Sequence, residues 1–304
     1  MEIYNPQLWW THDLGEPTLY TLQAILSLDG TQLEQQQQEV GIRTLELDQS
    51  PDTAEPGTRF FRFVLNGVPI FVRGACWIPA HSFVGALKAE RYAMLLKAAQ
   101  EANMNMLRVW GGGIYEHDVF YELCNRSGIL VWQDFMFACA MYPEDKRSFV
   151  DEVEAEARYQ VRRLRNHPCL ALWCGNNENQ WIHDRTYWDK ADFAVPGSLY
   201  YNQLLPQIVK ELDGKTPYWP GSPYGGNDYS MLAQAEGLKF GIEHYRRRKP
   251  HCSGTLIWQL NDCWPVLSWS IVDYYGFGKA GYFYTRRAYA AVMASFQKGN
   301  DGEH

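Results

Sequence analysis

The sequence has 304 residues, of which 46% are hydrophobic and 21% charged, as expected of a globular protein with a substantial core. Its formal net charge of −7 argues against a nucleic-acid partner, and the absence of a run of 18 apolar residues argues against a membrane span. The first residues, MEIYNPQLWW, lack the basic and apolar stretches of a signal peptide, so we expect none and slightly favour the cytoplasm.

Motifs for cofactor or metal chemistry have little support. The seven cysteines include no C-x-x-C pair, which indicates reduced thiols rather than a disulfide scaffold or a zinc site. GFGKAG at 276–281 matches the dinucleotide-binding pattern, but too little chain follows it for a βαβ unit. Neither H-E-x-x-H nor G-x-S-x-G occurs. We therefore expect no metal and no cofactor.

The first 48 residues have the alternating pattern of β strands. LYTLQAILSLDG and EVGIRTLELD alternate apolar and polar residues, and the glutamine run at 35–38 between them is predicted to form a hairpin loop. RFFRFVLNGVPIFVRG predicts a second hairpin, because Asn66-Gly67 is a strong turn signal between two strand-like halves.

From residue 70 onward, strand-like and helical segments alternate, which indicates parallel βαβ units. The strands end in small or polar residues, as in a (β/α)8 TIM barrel whose site lies at the strand C-termini. Six strands are two fewer than such a barrel requires. In chain order we predict strands in IFVRGACW, MNMLRVW, GILVWQDF, CLALWCG, TPYWPGS and GTLIWQL, and helices near 85–103, 115–127, 145–166, 198–212, 230–248 and 279–293.

Several strand ends carry residues suited to a sugar site. Glu178 and Asn177 follow the strand in CLALWCG, and Trp110, Asp134 and Trp258 stand at other strand ends. Glycoside hydrolysis uses two carboxyl groups around the anomeric carbon, with aromatic and amide groups to hold the sugar. Each residue alone is more often a core or supporting side chain. Together on one rim they predict a carbohydrate site.

Three long stretches of the sequence carry a resemblance to a known family: RVWGGGIYEHDVFYELCNRSGILVWQDFMFACAMYP, NHPCLALWCGNNEN and HCSGTLIWQLNDCWPVLSWSIVDYYG. They resemble the retaining β-mannosidases of glycoside hydrolase family 2. The resemblance implies a catalytic (β/α)8 barrel over residues 49–304, preceded over residues 1–48 by the C-terminal part of an immunoglobulin-like β-sandwich domain.

The same resemblance implies roles for individual residues. Glu178 would be the general acid/base, which protonates the departing glycosidic oxygen and then activates water. Asn177 would hydrogen-bond the 2-hydroxyl of the sugar, and Trp110 and Trp258 would wall its subsite. The partner would be a β-mannoside or manno-oligosaccharide with a terminal β-D-mannose.

The family's nucleophile, a Glu in a Ser-Glu-Phe/Tyr-Gly context on strand seven, has no counterpart in this sequence. GSPYGGND resembles the end of strand five, and the residues after it resemble the helix that enters strand eight. We therefore predict that strands six and seven are deleted near 228–229, leaving barrel edges through which a homodimer could form. Of the remaining carboxylates, Glu236 and Glu243 are predicted on a solvated helix face, and Asp262 as a hydrogen-bonding support near the substrate.

Two other functions stay open at this stage. The chain could be a non-catalytic, carbohydrate-binding remnant of such an enzyme. It could also be a related family 2 hydrolase that acts on a β-galactoside, glucuronide or glucosaminide.

Overall fold

A computed structural model describes residues 3–53, 59–186, 196–222, 234–265, 268–293 and 295. Its strands form three sheets, of which the largest has six strands. In chain order the strands are β1 (Tyr20–Leu28), β2 (Thr31–Val40), β3 (Leu45–Asp48), β4 (Arg62–Leu65), β5 (Val68–Pro69), β6 (Val72–Trp77), β7 (Met106–Val109), β8 (Leu130–Asp134), β9 (Leu170–Cys174), β10 (Tyr218–Trp219) and β11 (Gly254–Ile257).

Helices connect the strands of the large sheet. Within the described ranges, no helix is long and apolar enough to cross a membrane. A 3-10 turn at Val84–Ala86 and a π-helical turn at Tyr200–Leu204 accompany the α-helices. These are α1 (Ala89–Glu101), α2 (Asp118–Ser127), α3 (Arg147–Leu164), α4 (Asn179–Thr186), α5 (Leu205–Leu212), α6 (Gln234–Arg247) and α7 (Ala280–Ala288).

The large sheet is parallel, with the strand order β10-β9-β8-β7-β6-β11. Its strands lie in the six predicted segments, so the prediction of six parallel βαβ-type strands is confirmed. Across the described residues β10 and β11 remain edges, and the sheet is open rather than closed into a barrel. The chain is thus an α/β protein with a TIM-barrel-like arrangement that is incomplete.

Hydrophobic burial explains why these segments form strands and helices. All five residues of β9, LALWC, are buried, as expected of a parallel strand covered on both faces. Helix α2 buries Phe120, Tyr121 and Cys124 on one face and ends at Gly128, whose φ of 62° is left-handed. A Cβ at Gly128 would lie 2.6 Å from the backbone nitrogen of His12, so this helix end requires glycine for both space and conformation.

The N-terminal hairpin differs from the sequence-based prediction. Its turn lies at Asp29-Gly30, where φ is 50° and 82°, and the glutamines at 35–38 lie inside β2. The prediction of a glutamine loop is therefore wrong. Almost every residue of β1 and β2 is exposed, so this two-stranded ribbon accepts polar side chains on both faces, and left-handed Asp-Gly determines the turn.

The second hairpin is confirmed. Asn66 and Gly67 have φ values of 50° and 80° and join β4 to β5. Strand β3, which ends at Asp48, pairs antiparallel with β4, which begins at Arg62. The two strands therefore belong to one small sheet. This sheet contributes Phe63 and Leu65 to the main hydrophobic core.

The segment before β9 is held by hydrogen bonds from several elements. The side chain of Asn125 accepts from the backbone N–H of Cys169 through Oδ1 at 3.2 Å, which turns its NH₂ group toward His167. Nδ2 lies 2.8 Å from Nδ1 of His167, so this ring nitrogen acts as an acceptor and must be unprotonated. Burial accordingly lowers the pKa of His167 to about 4.

This geometry predicts acid sensitivity of the fold. Because the folded-state pKa of His167 lies below its unfolded value, its contribution to stability is complete above pH 6.5 and is lost as the pH falls toward 4. Between about pH 7.5 and pH 5 we expect the free energy of unfolding to fall by about 2 kcal/mol from this group. In His167→Gln, which keeps an acceptor for Asn125, urea unfolding at both pH values should show a smaller drop. Equal drops in the two proteins would contradict the assignment.

Candidate active site

The predicted site residues lie at the carboxyl ends of the parallel strands. Trp110 follows β7, Asp134 ends β8, and Asn177 and Glu178 follow β9. Trp258 follows β11, and the chain continues from it to Asp262. The side-chain contacts divide these residues into three groups: those around Arg108 and Asp134, the two tryptophans, and Asp262 with its partners.

The first group centres on a buried ion pair. Arg108 of β7 donates to Asp134 through Nε at 3.1 Å and through Nη2 at 2.8 Å. The carboxylate of Asp134 is completely buried and also accepts from the backbone of Gly111 and the indole of Trp132. Burial is the largest single effect on the pKa of Arg108 and lowers it, but the Asp134 carboxylate together with Cys76 and Cys174 raises that pKa by more in total, so the guanidinium stays charged.

Arg108 also connects this ion pair to the Asn-Glu segment. Its Nη2 donates to Oδ1 of Asn177 at 2.8 Å, which fixes which end of the amide faces the guanidinium. Asp134 and Asn177 were predicted from the sequence as site residues, whereas Arg108 was not. A charged residue inside the apolar run MNMLRVW was the available signal, because a buried charge requires a partner.

Glu178 stands where β9 gives way to helix α4. Its backbone is left-handed, with a φ of 64°, and its N–H donates to the carbonyl of Ser222 at 3.0 Å. The side chain is half-buried, and Oε2 lies 3.6 Å from Sγ of Cys139, in the loop after β8. Helix α4 begins at the next residue and was not predicted. The carboxylate is therefore reachable from solvent and held at the strand end.

Two tryptophans form the second group. The rings of Trp110 and Trp258 meet edge to face, with centroids 5.1 Å apart and an interplanar angle of 74°. Trp258 is 40% exposed and precedes a cis peptide bond to Gln259. A Cβ at Gly112 would lie 2.1 Å from the Trp110 ring, so the second glycine of WGGG makes room for this indole. The two indoles therefore form one aromatic surface beside the strand ends.

Asp262 belongs to the third group. It is 2% exposed and accepts from the hydroxyls of Ser268 and Ser270 and from Nζ of Lys279, the last at 3.2 Å. Lys279 also donates to Oγ of Ser270 at 2.7 Å. A carboxylate engaged by two hydroxyls and an ammonium group is poorly suited to attack an anomeric carbon.

The helical carboxylates differ from expectation at one position. Glu243 is 8% exposed, so the prediction that it lies on a solvated face of the helix is wrong. The prediction failed because the spacing of apolar residues identifies only one buried face of α6, whereas other parts of the chain also cover the face that carries Glu243. The side chain of Glu236 and the predicted deletion point at 228–229 lie outside the described residues.

A cavity of about 550 Å³ lies at the other end of the sheet, where the strands begin. Its walls include Val72, Met106 and Gly254, the first residues of three neighbouring strands, together with Phe61 and Trp132. None of the predicted site residues lines it. Sites of this fold class lie at the carboxyl ends of the parallel strands, where Glu178 stands, and this cavity lies at the opposite end.

The chain is an α/β protein of the TIM-barrel-like class. Its open parallel sheet carries a carboxylate, an amide and two packed indoles at the carboxyl edge, where sites of this class lie. The model for glycosyl hydrolases family 2 matches residues 1–43. The chain is 32% identical to β-mannosidase B of Aspergillus terreus over 415 aligned residues, covering 100% of this chain and 48% of that protein. The chain belongs to glycoside hydrolase family 2, and spans about half the length of the curated relatives it matches.

Solved structures agree with this assignment. The crystal structure of a β-D-mannosidase from Dictyoglomus thermophilum superposes with a TM-score of 0.87 at 38% identity, covering 94% of this chain and 47% of that one. An exo-chitosanase from Amycolatopsis orientalis superposes with a TM-score of 0.73 at 15% identity, over 93% of this chain and 44% of that one. The likeness to the exo-chitosanase concerns the fold alone, whereas the β-D-mannosidase is similar in both fold and sequence.

Proposed function

We propose that this chain carries the site of a β-mannosidase-type glycoside hydrolase that acts on terminal, non-reducing β-D-mannose residues. The observation that carries the proposal is the placement of Glu178, half-exposed at the carboxyl end of β9, directly after Asn177. Relatives named as β-mannosidases, from Aspergillus terreus and Dictyoglomus thermophilum, support the sugar class. The partner is a β-mannoside or manno-oligosaccharide.

The described contacts suggest how the residues divide the work. Glu178 protonates the glycosidic oxygen as the bond to the anomeric carbon breaks. One N–H of the Asn177 amide remains for the 2-hydroxyl, because an amide NH₂ has two donors and the contact with Cys139 takes one. Trp110 and Trp258 wall the sugar. Asp134, completely buried, acts through Arg108 to orient Asn177.

We further propose that this chain has the acid/base without its own nucleophile. The Ser-Glu-Phe/Tyr-Gly motif is absent from the sequence, and Asp262, the nearest substitute, is engaged by Ser268, Ser270 and Lys279. A small anion from solution could then attack the anomeric carbon from the face opposite the leaving group. With azide, a C–N bond would form as the C–O bond breaks, and Glu178 would give its proton to the departing oxygen.

The domain proposal follows from the same family relationship. Residues 1–48 would be the C-terminal part of an immunoglobulin-like domain, and residues 49–304 a (β/α)8 barrel lacking strands six and seven near 228–229. The aligned region of the relatives runs to 415 residues against 304 here, which supports an internal deletion. A homodimer formed through the barrel edges that such a deletion would leave is part of this proposal, and size-exclusion chromatography with light scattering would detect it.

An assay with activated aryl glycosides tests the proposal. With 2,4-dinitrophenyl β-D-mannoside we expect little release of dinitrophenol in buffer, and release that rises with azide and yields the α-mannosyl azide. The matching β-galactoside, β-glucuronide and β-glucosaminide should react much more slowly.

Three other results of this assay would each contradict a different part of the proposal. Azide-independent turnover with retention would contradict the missing nucleophile and indicate one supplied by this chain or by a second copy. Preference for another glycoside would change the sugar class. A folded protein that binds mannoside but gives no turnover even with azide would favour the non-catalytic, carbohydrate-binding remnant.

A further inference from the structure

Cys139 is the one exposed thiol among the described residues, and it lies next to the proposed acid/base. Its backbone is left-handed, with a φ of 52°, as is that of Glu178. The loops that hold the two residues are joined by backbone hydrogen bonds, from Cys139 N–H to the carbonyl of Asn177 at 3.0 Å and from Asn177 N–H to that of Phe137 at 2.8 Å. The position of the thiol is therefore built into the backbone of the site.

Hydrogen bonding determines the direction of the thiol proton. Because Oδ1 of Asn177 accepts from Arg108, the NH₂ end of the amide must face the other way. Nδ2 of Asn177 lies 3.5 Å from Sγ of Cys139, so the sulfur accepts there. Oε2 of Glu178 lies 3.6 Å from the same sulfur, and the S–H donates toward it. A continuous chain thus runs from Asp134 through Arg108, Asn177 and Cys139 to Glu178.

We propose that Cys139 is a positioning residue for Glu178: its thiol donates to Oε2, holds the carboxyl group in one orientation and leaves Oε1 for the substrate. This inference rests on the proposed acid/base role of Glu178, but the Cys139–Glu178 contact can be measured without turnover. Sequence analysis gave no signal for it, because the two residues come together only through the pairing of neighbouring loops.

The electrostatics around the sulfur keep it protonated. The protein around the exposed Cys139 thiol displaces part of its water, and this partial desolvation raises the pKa of the thiol; the negative charge of Glu178 raises it further. The hydrogen bond from Asn177 and the charge of Arg108 act in the opposite direction with less effect. The thiol therefore remains a donor at neutral pH and reacts slowly with electrophiles, since only the thiolate is nucleophilic.

Alkylation of Cys139 by iodoacetamide tests the contact directly. The rate would be measured across a pH series, with each cysteine resolved by peptide mass spectrometry. In Glu178→Gln we expect the profile of Cys139 to move to lower pH, so that modification near pH 7.5 becomes several-fold faster, since each pKa unit changes the thiolate fraction about tenfold. Asn177→Ala should move the profile the other way. Cys263 in the same samples serves as the internal reference.

Superimposable Cys139 profiles in the wild type and Glu178→Gln would overturn the inference, whatever the activity assay shows. Where azide-dependent turnover is present, a second readout applies. Cys139→Ala should lower turnover of a methylumbelliferyl β-mannoside several-fold, and Cys139→Ser, which keeps a hydroxyl donor, should restore most of it. Equal losses in both variants would contradict a positioning role. Failure of the β-mannoside assay alone would count against the proposed function and leave the alkylation result to decide this contact.

Discussion

Glu178→Gln should slow azide-dependent cleavage of methylumbelliferyl β-mannoside by roughly 10²- to 10⁴-fold, while the rate on the 2,4-dinitrophenyl glycoside changes little. The reason is that umbelliferone is the poorer leaving group and needs a proton from Glu178, whereas dinitrophenolate departs without one. Glutamine keeps the shape of the side chain at the end of β9 but cannot transfer the proton. The dependence of the loss on the leaving group separates acid catalysis from damage to the fold.

Glu211→Gln is a matched control for this experiment. Glu211 lies on the exposed surface of α5, where it pairs with Arg158 at 2.9 Å, and it belongs to none of the three site groups. Its rates on both glycosides should equal those of the wild type. An equal loss on both glycosides in Glu178→Gln would contradict the acid/base assignment, as would no loss on either.

Arg108→Met should lower the free energy of unfolding by about 3–5 kcal/mol, because it leaves the carboxylate of Asp134 buried without its counter-ion. Asp134 is completely buried, and its bonds from Gly111 and Trp132 do not replace a charge. The variant also deprives Oδ1 of Asn177 of its donor. Urea unfolding followed by tryptophan fluorescence measures the loss.

Two further variants isolate the buried charge as the cause. Arg108→Met combined with Asp134→Leu should recover much of the stability, since a buried pair replaced by apolar side chains often costs little. Arg126→Met removes a cation from an exposed pair with Glu39, at 51% and 40% side-chain exposure, and should cost less than about 1 kcal/mol. A cost for Arg108→Met no larger than that of Arg126→Met would contradict the argument.

The site could be predicted only in part. The sequence predicted four of the site residues, because each follows an apolar strand and parallel strands place their carboxyl ends on one edge: Glu178, Asn177, Trp110 and Trp258. The side-chain hydrogen bonds of the site could not be predicted. Arg108 reaches Asn177 across 69 positions, and Cys139 reaches Glu178 across 39. Such pairs depend on strand order and register, which local spacing does not encode.

The sequence by itself determined the parallel α/β organisation, the Asn66-Gly67 turn and the placement of Glu178 at a strand end. Each follows from local chemistry: apolar periodicity, left-handed turn residues, and a polar break after a buried run. Tertiary structure decided that the glutamines at 35–38 lie in a strand, because β1 and β2 form an exposed ribbon without a core face. It also decided that Glu243 is buried and that Asp262 is held by Ser268, Ser270 and Lys279, since burial and hydrogen bonding depend on which distant segments pack together.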